Sequence, residues 1–247
     1  MLNNFWELYD TLLHGLPENV TVSQTVSGAF WTLAEADNGG TGLAMTTSGD
    51  TFPPMYPGGI KGMPLKDAAK AAKSWNLLEA GFGVAAMNAA YNTLDRMNTL
   101  DCEEPYDNYS TEGLNITGKT VGVIGHLKMP SHILRDAKQV YILERHPKEG
   151  DYPDSACDLL LPKCDIVIIT GSSLVNKTLP HLLELCKNAY TILTGPTVPM
   201  CPELLNCGID RLAGLVVTNR PGIRQHAESS TPGPPFSFGR TFLLKGE

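Results

Sequence analysis

Hydrophobic positions along the chain fall into two textures. In the first, Phe5, Leu8, Tyr9 and Leu12 recur at helical spacing and predict an amphipathic opening helix. Residues 20–36, "VTVSQTVSGAFWTLAEA", are rich in β-branched and aromatic side chains and predict one or two strands. The turn Asp37-Asn38-Gly39-Gly40 follows, with Leu43 to Thr46 pairing back as a further strand. A loop dense in proline and glycine, "TFPPMYPGGIKGMP", leads to two helices, "LKDAAKAAKS" and "NLLEAGFGVAAMNAAYNTL". The second is apolar nearly all round and rich in small residues, which predicts a buried, closely packed helix.

The second texture begins after "LDCEEPYDNYSTEG" (100–113), an acidic and polar stretch that reads as an interdomain linker. Five short apolar runs follow: "TVGVIG", "QVYILE", "DIVIIT", "YTILTG" and "RLAGLVVT". Each is apolar on both faces, as parallel strands covered by helices are. The expected architecture is therefore α/β. It has a small N-terminal α+β domain (1–104), a linker (105–113) and a Rossmann-like, doubly wound parallel sheet (114–247). The tail "ESSTPGPPFSFGR" offers little regular structure, although its two phenylalanines are expected to pack.

The first of the five strands ends at Gly125 and raises the question of a dinucleotide site. A G-x-G-x-x-G loop starting there would put Leu127 and Pro130 where the second and third glycines belong. Leucine blocks close approach of a pyrophosphate and proline removes an N–H, so a dinucleotide is not the expected cofactor. One part of the pattern survives. Glu144 ends the second strand nineteen positions beyond Gly125, near where an acidic residue meets a ribose hydroxyl.

Ligands of an open parallel sheet collect beyond the strands' carboxyl ends. Those ends supply Gly125 and His126, Glu144, Thr170-Gly171-Ser172-Ser173 with Asn176 behind, and Gly195-Pro196. The serine-rich loop offers hydroxyls and free N–H groups to an anion, or alternatively makes an ordinary strand-to-helix turn capped by Ser173. His126 is a candidate ligand or proton carrier, because imidazole titrates near neutrality.

Bulk properties narrow the partners. The 247-residue chain is 42% apolar and carries a net charge of −7, which argues against nucleic acid and for small ligands or cations. No apolar run approaches a membrane span, and the N-terminus carries Glu7 and Asp10 in place of a basic leader. The expected location is the cytoplasm, with the six cysteines reduced. None forms a C-x-x-C pair. Hydrolase elbows, H-E-x-x-H and Walker loops are all missing.

Three stretches carry a resemblance: "DIVIITGSSLVNKTL", "TILTGPTVPMCPELLNCGIDRLAG" and "ADNGGTGLAM". Within them the T-G-x-x-x-x-N of Thr170, Gly171 and Asn176 and the G-P of Gly195 and Pro196 are the most specific. The chain resembles a bacterial and archaeal family labelled "putative heavy-metal chelation domain". The resemblance implies an N-terminal domain similar to that of enolase joined to a Rossmann-like domain, with the site in the cleft between them. It also implies that the Asp37–Gly40 turn faces the loops after Gly125, Thr170 and Gly195. A transition metal or a small metal-chelating molecule is the implied ligand. Two forms of site are expected: hard oxygen ligands from Glu35, Asp37 or Glu144, or a cleft for an already chelated metal. The alternatives are an enzyme acting on a nucleotide-like or pterin-like ligand, and a regulatory module with a vestigial cleft.

Overall fold

The computed structural model describes residues 4–47, 52–105, 107–109, 111–127, 129 and 133–246. Helix α1 (Glu7–His14) forms where the apolar spacing predicts it and buries Leu8, Tyr9 and Leu12. Strands β1 (Val22–Ser27), β2 (Trp31–Ala36) and β3 (Thr41–Met45) make an antiparallel sheet in that order. The turn between β2 and β3 uses Gly39 at φ 97°, a left-handed conformation that glycine adopts without strain.

Helices α2 (Leu65–Ala69) and α3 (Leu77–Tyr91) follow, and Asn76 caps α3 by accepting from the Glu79 amide at 3.1 Å. The small residues of α3 have a visible purpose. A Cβ on Gly42 of β3 would lie 2.0 Å from the Ala85 carbonyl oxygen, so helix and strand meet backbone to backbone. A short α4 (Leu94–Met97) closes this half.

The second sheet contains the five expected strands: β4 (Thr120–Ile124), β5 (Gln139–Glu144), β7 (Ile166–Thr170), β8 (Tyr190–Thr194) and β9 (Arg211–Val217). Two more join it, the two-residue β6 (Tyr152–Pro153) and β10 (Gly239–Lys245). The order is β10-β9-β8-β7-β4-β5-β6, parallel throughout except for β10. Counted from β4, the six parallel strands run 3-2-1-4-5-6, the doubly wound order whose switch point lies between β4 and β7. Helices α5 (Cys157–Leu160), α6 (Ser172–Val175), α7 (Leu179–Leu185) and α8 (Arg220–Glu228) complete the fold. None of the described helices is long and apolar enough to cross a membrane.

The tail has little regular structure over residues 229–238, and Phe236 and Phe238 pack against the cluster around Trp31 and Ile223, as expected. Its last residues open β10, which pairs in register with all of β9 and gives the sheet an antiparallel edge. The stretch from 100 to 113 is likewise built in. Glu103 and Leu243 exchange backbone hydrogen bonds at 2.9 and 2.8 Å. The Asp107 carboxylate accepts from the amides of Tyr109, Thr111 and Glu112 at 2.7–3.1 Å. Tyr106 and Ser110 lie outside the described residues.

One hydrophobic cluster runs without a break from α1 and α3 into the β7 and β9 region, so the two sheets share a core. Buried side chains stitch the same boundary. The Tyr9 hydroxyl donates to the Leu174 carbonyl at 2.7 Å. Asn92 Nδ2 donates to the carbonyls of Val198 (2.9 Å) and Leu215 (3.1 Å), while its Oδ1 accepts from the Met200 amide at 2.9 Å.

Candidate functional site

The carboxyl ends of β4, β7 and β8 lie side by side, and each ends on a glycine with a defined task. Gly125 turns the chain at φ 92°, and a Cβ there would be 2.9 Å from Thr170 Cγ2. A Cβ on Gly171 would be 2.9 Å from the Val198 nitrogen, so β7 leaves the sheet pressed against the 195–198 loop. Gly195 turns at φ 115° into Pro196. The N-terminal sheet comes down onto these loops because Asn88 of α3 bridges them. Its Nδ2 donates to Leu43 O (2.6 Å) and Thr197 O (3.0 Å), and the Met45 amide donates to Thr197 Oγ1 at 2.9 Å.

A cavity of about 360 Å³ results. Phe30, Trp31 and Met45 form one wall, with Tyr109 from the linker and Phe236 from the tail beside them. The floor is Thr170, Gly171, Gly195, Pro196 and Thr197. Trp31 Nε1 donates to Gly233 O at 2.9 Å and ties the tail across the opening. Adjoining it is a second cavity of about 260 Å³, which shares Met45, His126, Leu127 and Thr170 with the first. Its lining is also mainly apolar, but Glu144, Arg145, Ser172, Asn176 and His181 border it, together with Cys157.

His126 stands where the two cavities meet. Its amide donates to Glu144 Oε2 at 2.7 Å, while Glu144 Oε1 accepts from the Arg145 amide at 2.7 Å. Glu144 therefore clamps the loops after β4 and β5 together. The His126 ring is fixed by Asp151, whose Oδ2 lies 3.1 Å from Nδ1 and also accepts from the Lys148 amide at 2.9 Å. The Asp151 side chain is only 3% exposed. Its carboxyl is held below the ordinary range by the Lys148 amide and then by His126, against the opposing effect of burial.

The serine loop behaves differently from an anion cradle. The Ser173 hydroxyl is buried and donates back to Thr170 O at 2.7 Å, so it closes its own strand end and does not cap α6. Ser172 Oγ pairs with Thr170 Oγ1 at 3.1 Å. Asn176 Oδ1 accepts from the amide and hydroxyl of Thr178, at 3.1 and 2.7 Å, and shapes the entry to α7. The neighbouring Lys177, buried with φ 65°, is pushed down to about 8 by burial and gives its ammonium to Val175 O at 2.9 Å.

The turn Asp37-Asn38-Gly39 is at the opposite end of the N-terminal strands. β2 is six residues long, roughly 20 Å at ~3.3 Å per residue, and only its start reaches the strand-end loops. The tip that faces those loops is the β1–β2 connection, with Ala29 and Phe30. Asp37 Oδ1 instead accepts from the Thr21 amide at 3.1 Å, and Asn38 and Gly39 border a separate polar depression of about 640 Å³ beside Arg96. Nor do the three carboxylates expected as hard ligands converge. Glu35 is buried beneath Arg220 and Arg224, which donate to it at 2.6–3.2 Å.

Soft-metal donors are equally scattered. Among the described residues no three His, Cys, Asp or Glu side chains come together as a metal site. All six cysteines are free. Burial pushes the thiols of Cys157 and Cys164 up to about 11, and those of Cys186 and Cys201 up to about 12. They hold their protons at neutral pH and are not ready thiolate ligands. The donor set thus does not fit a bare thiophilic ion.

Several wall residues were not foreseeable as ligand contacts: Phe30, Trp31, Met45, Tyr109 and Phe236. The second contact of His126, Asp151, carries no signature in the loop "HPKEGDYP". The only early hint was aromatic residues placed in stretches otherwise reading as loop.

Comparison with known proteins agrees with this architecture. Residues 112–237 match a family described as "Putative heavy-metal chelation", and residues 9–91 match a second family with the same description. An uncharacterised protein of Methanocaldococcus jannaschii is 32% identical over 157 residues, which cover 60% of this chain and 59% of that protein. A crystal structure of a protein of unknown function from Desulfitobacterium hafniense superposes with a TM-score of 0.87 at 35% identity, covering 98% of both chains. One from Pyrococcus horikoshii, 24% identical over 98% of this chain and 99% of that one, shares the fold with a TM-score of 0.75. A family match across more than half of the sequence, with this likeness along nearly all of it, makes the chain a member of the family described as "Putative heavy-metal chelation".

Proposed function

We propose that the protein binds a transition metal already held by a small organic chelator, in the paired cavities at the carboxyl ends of β4, β7 and β8. The observation that carries this reading is the division of labour between the cavities. An apolar chamber walled by Phe30, Trp31, Met45, Tyr109 and Phe236 adjoins at His126 a second cavity bordered by the charged side chains of Glu144, Arg145, Asp154 and Asp158, and no cluster of protein donors accompanies either among the described residues. Such a site rewards an organic scaffold by apolar burial and leaves most of the coordination to the chelator. The net charge of −7 favours cationic complexes over free anions.

The test is a thermal-shift series on the full chain with zinc chloride, 1,10-phenanthroline and the 1:1 zinc–phenanthroline complex. Stabilisation by the complex, with little from the chloride, is the expected result. Stabilisation by stoichiometric zinc chloride alone would overturn the reading. The doubly wound strand order favours a second reading, a nucleoside-like or pterin-like ligand with Glu144 beside a hydroxyl. Adenosine, S-adenosylmethionine and a pterin in the same series separate the two.

A further inference from the structure

We propose that His126 is the protein's own ligand to the metal of the bound chelate, binding through Nε2, with Asp151 as the residue that positions it. The proposal rests on the chelate reading above and sharpens it to one bond. Four observations lead to it.

The first is position. His126 borders both cavities, so its ring sits where an organic body in the apolar chamber and a polar end in the other would meet. The second is orientation. Asp151 Oδ2 lies 3.1 Å from Nδ1, and the nearly buried carboxylate is itself anchored by the Lys148 amide. A carboxylate accepts, so the ring proton belongs on Nδ1 and the lone pair on Nε2. Metal-binding histidines are set up in this way, with the far nitrogen donating to a carboxylate.

The third is backbone support. The His126 amide is held by Glu144, and Gly125 has a conformation that fixes the direction of the chain leaving β4. The fourth is the state of the other donors lining the second cavity, where Asp154 lies 3.5 Å from Arg145 Nε and Asp158 is taken by His181. His181 has Nε2 3.1 Å from Asp158 and Nδ1 3.9 Å from Glu184, so carboxylates face both of its nitrogens. Glu144 has each oxygen on a backbone amide. The Cys157 thiol keeps its proton. A bidentate chelator leaves coordination positions open, and one imidazole fills one of them.

The experiment compares metal-free 1,10-phenanthroline with its 1:1 copper(II) complex, by calorimetric titration and by electron paramagnetic resonance of the bound copper. The wild-type protein is expected to prefer the complex over the free chelator by about tenfold or more and to add one nitrogen to the copper spectrum. His126→Ala and His126→Asn are expected to keep the affinity for free chelator, lose the preference and lose the added nitrogen. Asp151→Asn should keep the nitrogen but lower the preference by about tenfold, and His181→Ala should change neither readout. If wild type binds neither probe, the chelate reading itself falls. If wild type binds the complex and both His126 variants bind it equally with unchanged spectra, the chelate reading stands and the His126 assignment is wrong. Equal loss of free chelator and complex in folded His126 variants would make the residue structural and also overturn the assignment.

Discussion

Asn92 offers the sharpest test of how the two sheets are held together. It ends α3, is 2% exposed, and reaches three backbone groups at once: Val198 O, Leu215 O and Met200 N. Replacing it with leucine keeps the volume close but removes every one of these partners. The three residues it serves are themselves buried, so water does not take over. At ~1.5–2 kcal/mol for each of the three orphaned groups, the middle of the usual range, less about 1 kcal/mol regained from the added apolar burial, Asn92→Leu should cost about 3–5 kcal/mol. For a chain of this length that is a fall in Tm of roughly 6–20 °C. Asn92→Asp keeps the bond from Met200 but turns a carboxylate toward two carbonyl oxygens, so it should be at least as damaging at pH 7. Asn206→Ala, on an exposed position, serves as the control and should stay within about 0.5 kcal/mol. Thermal unfolding followed by circular dichroism, with urea midpoints alongside, measures all four proteins. An Asn92→Leu protein melting within about 2 °C of wild type would refute the view that these bonds join the sheets.

Further expectations follow from the same geometry. Gly42→Ala forces a Cβ to 2.0 Å from Ala85 O and 2.3 Å from Ala89 N and should cost about 3 kcal/mol, whereas Gly58→Ala, with open space around it, should be nearly neutral in the same melts. Burial alone would raise the Glu35 pKa, but Arg224 and Arg220 outweigh it and hold the group below its ordinary 4.5. A depressed carboxylate stabilises the fold above its unfolded pKa and loses that contribution as pH falls through the folded value, so wild type should lose stability below about pH 4.5. Glu35→Gln should start less stable at pH 7 and show a shallower acid loss; parallel profiles would count against the pairing. In a thiol-titration assay at pH 8, Cys157, Cys164, Cys186 and Cys201 should stay silent until guanidinium is added, because they are buried and protonated. Rapid reaction of more than two thiols in the native protein would contradict that.

The five central strands were readable because burial on both faces leaves continuous apolar runs such as Ile166–Ile169, a signal that needs no knowledge of the partner. β10 was not, since its apolar residues sit at the end of a proline-rich tail and become a strand only by pairing with β9. Gly125, His126, Thr170, Gly171, Gly195 and Pro196 were found together because strand ends in a parallel sheet converge by topology alone. The Asp37 turn was assigned to that group and lies elsewhere, for a reason no local pattern contains. Both ends of β2 carry turns, and only the packing of α3 through Asn88 decides which one meets the other sheet. Asp151 was invisible for a related reason. Its contact with His126 joins the loops after β4 and β5 across 25 residues, and no periodicity records which loop side chains meet.

The shared core also has a kinetic meaning. The wall formed by Phe30, Trp31 and Met45 belongs to strands fastened through Asn88, Asn92 and Tyr9 to the very loops that make the floor. Opening such a cleft by swinging one half from the other would expose buried apolar surface and break those bonds together, close to unfolding the protein. On the proposed reading, a guest therefore meets a rigid mould instead of a closing jaw. It loses little affinity to ordering the host, and it is sorted chiefly by its outline.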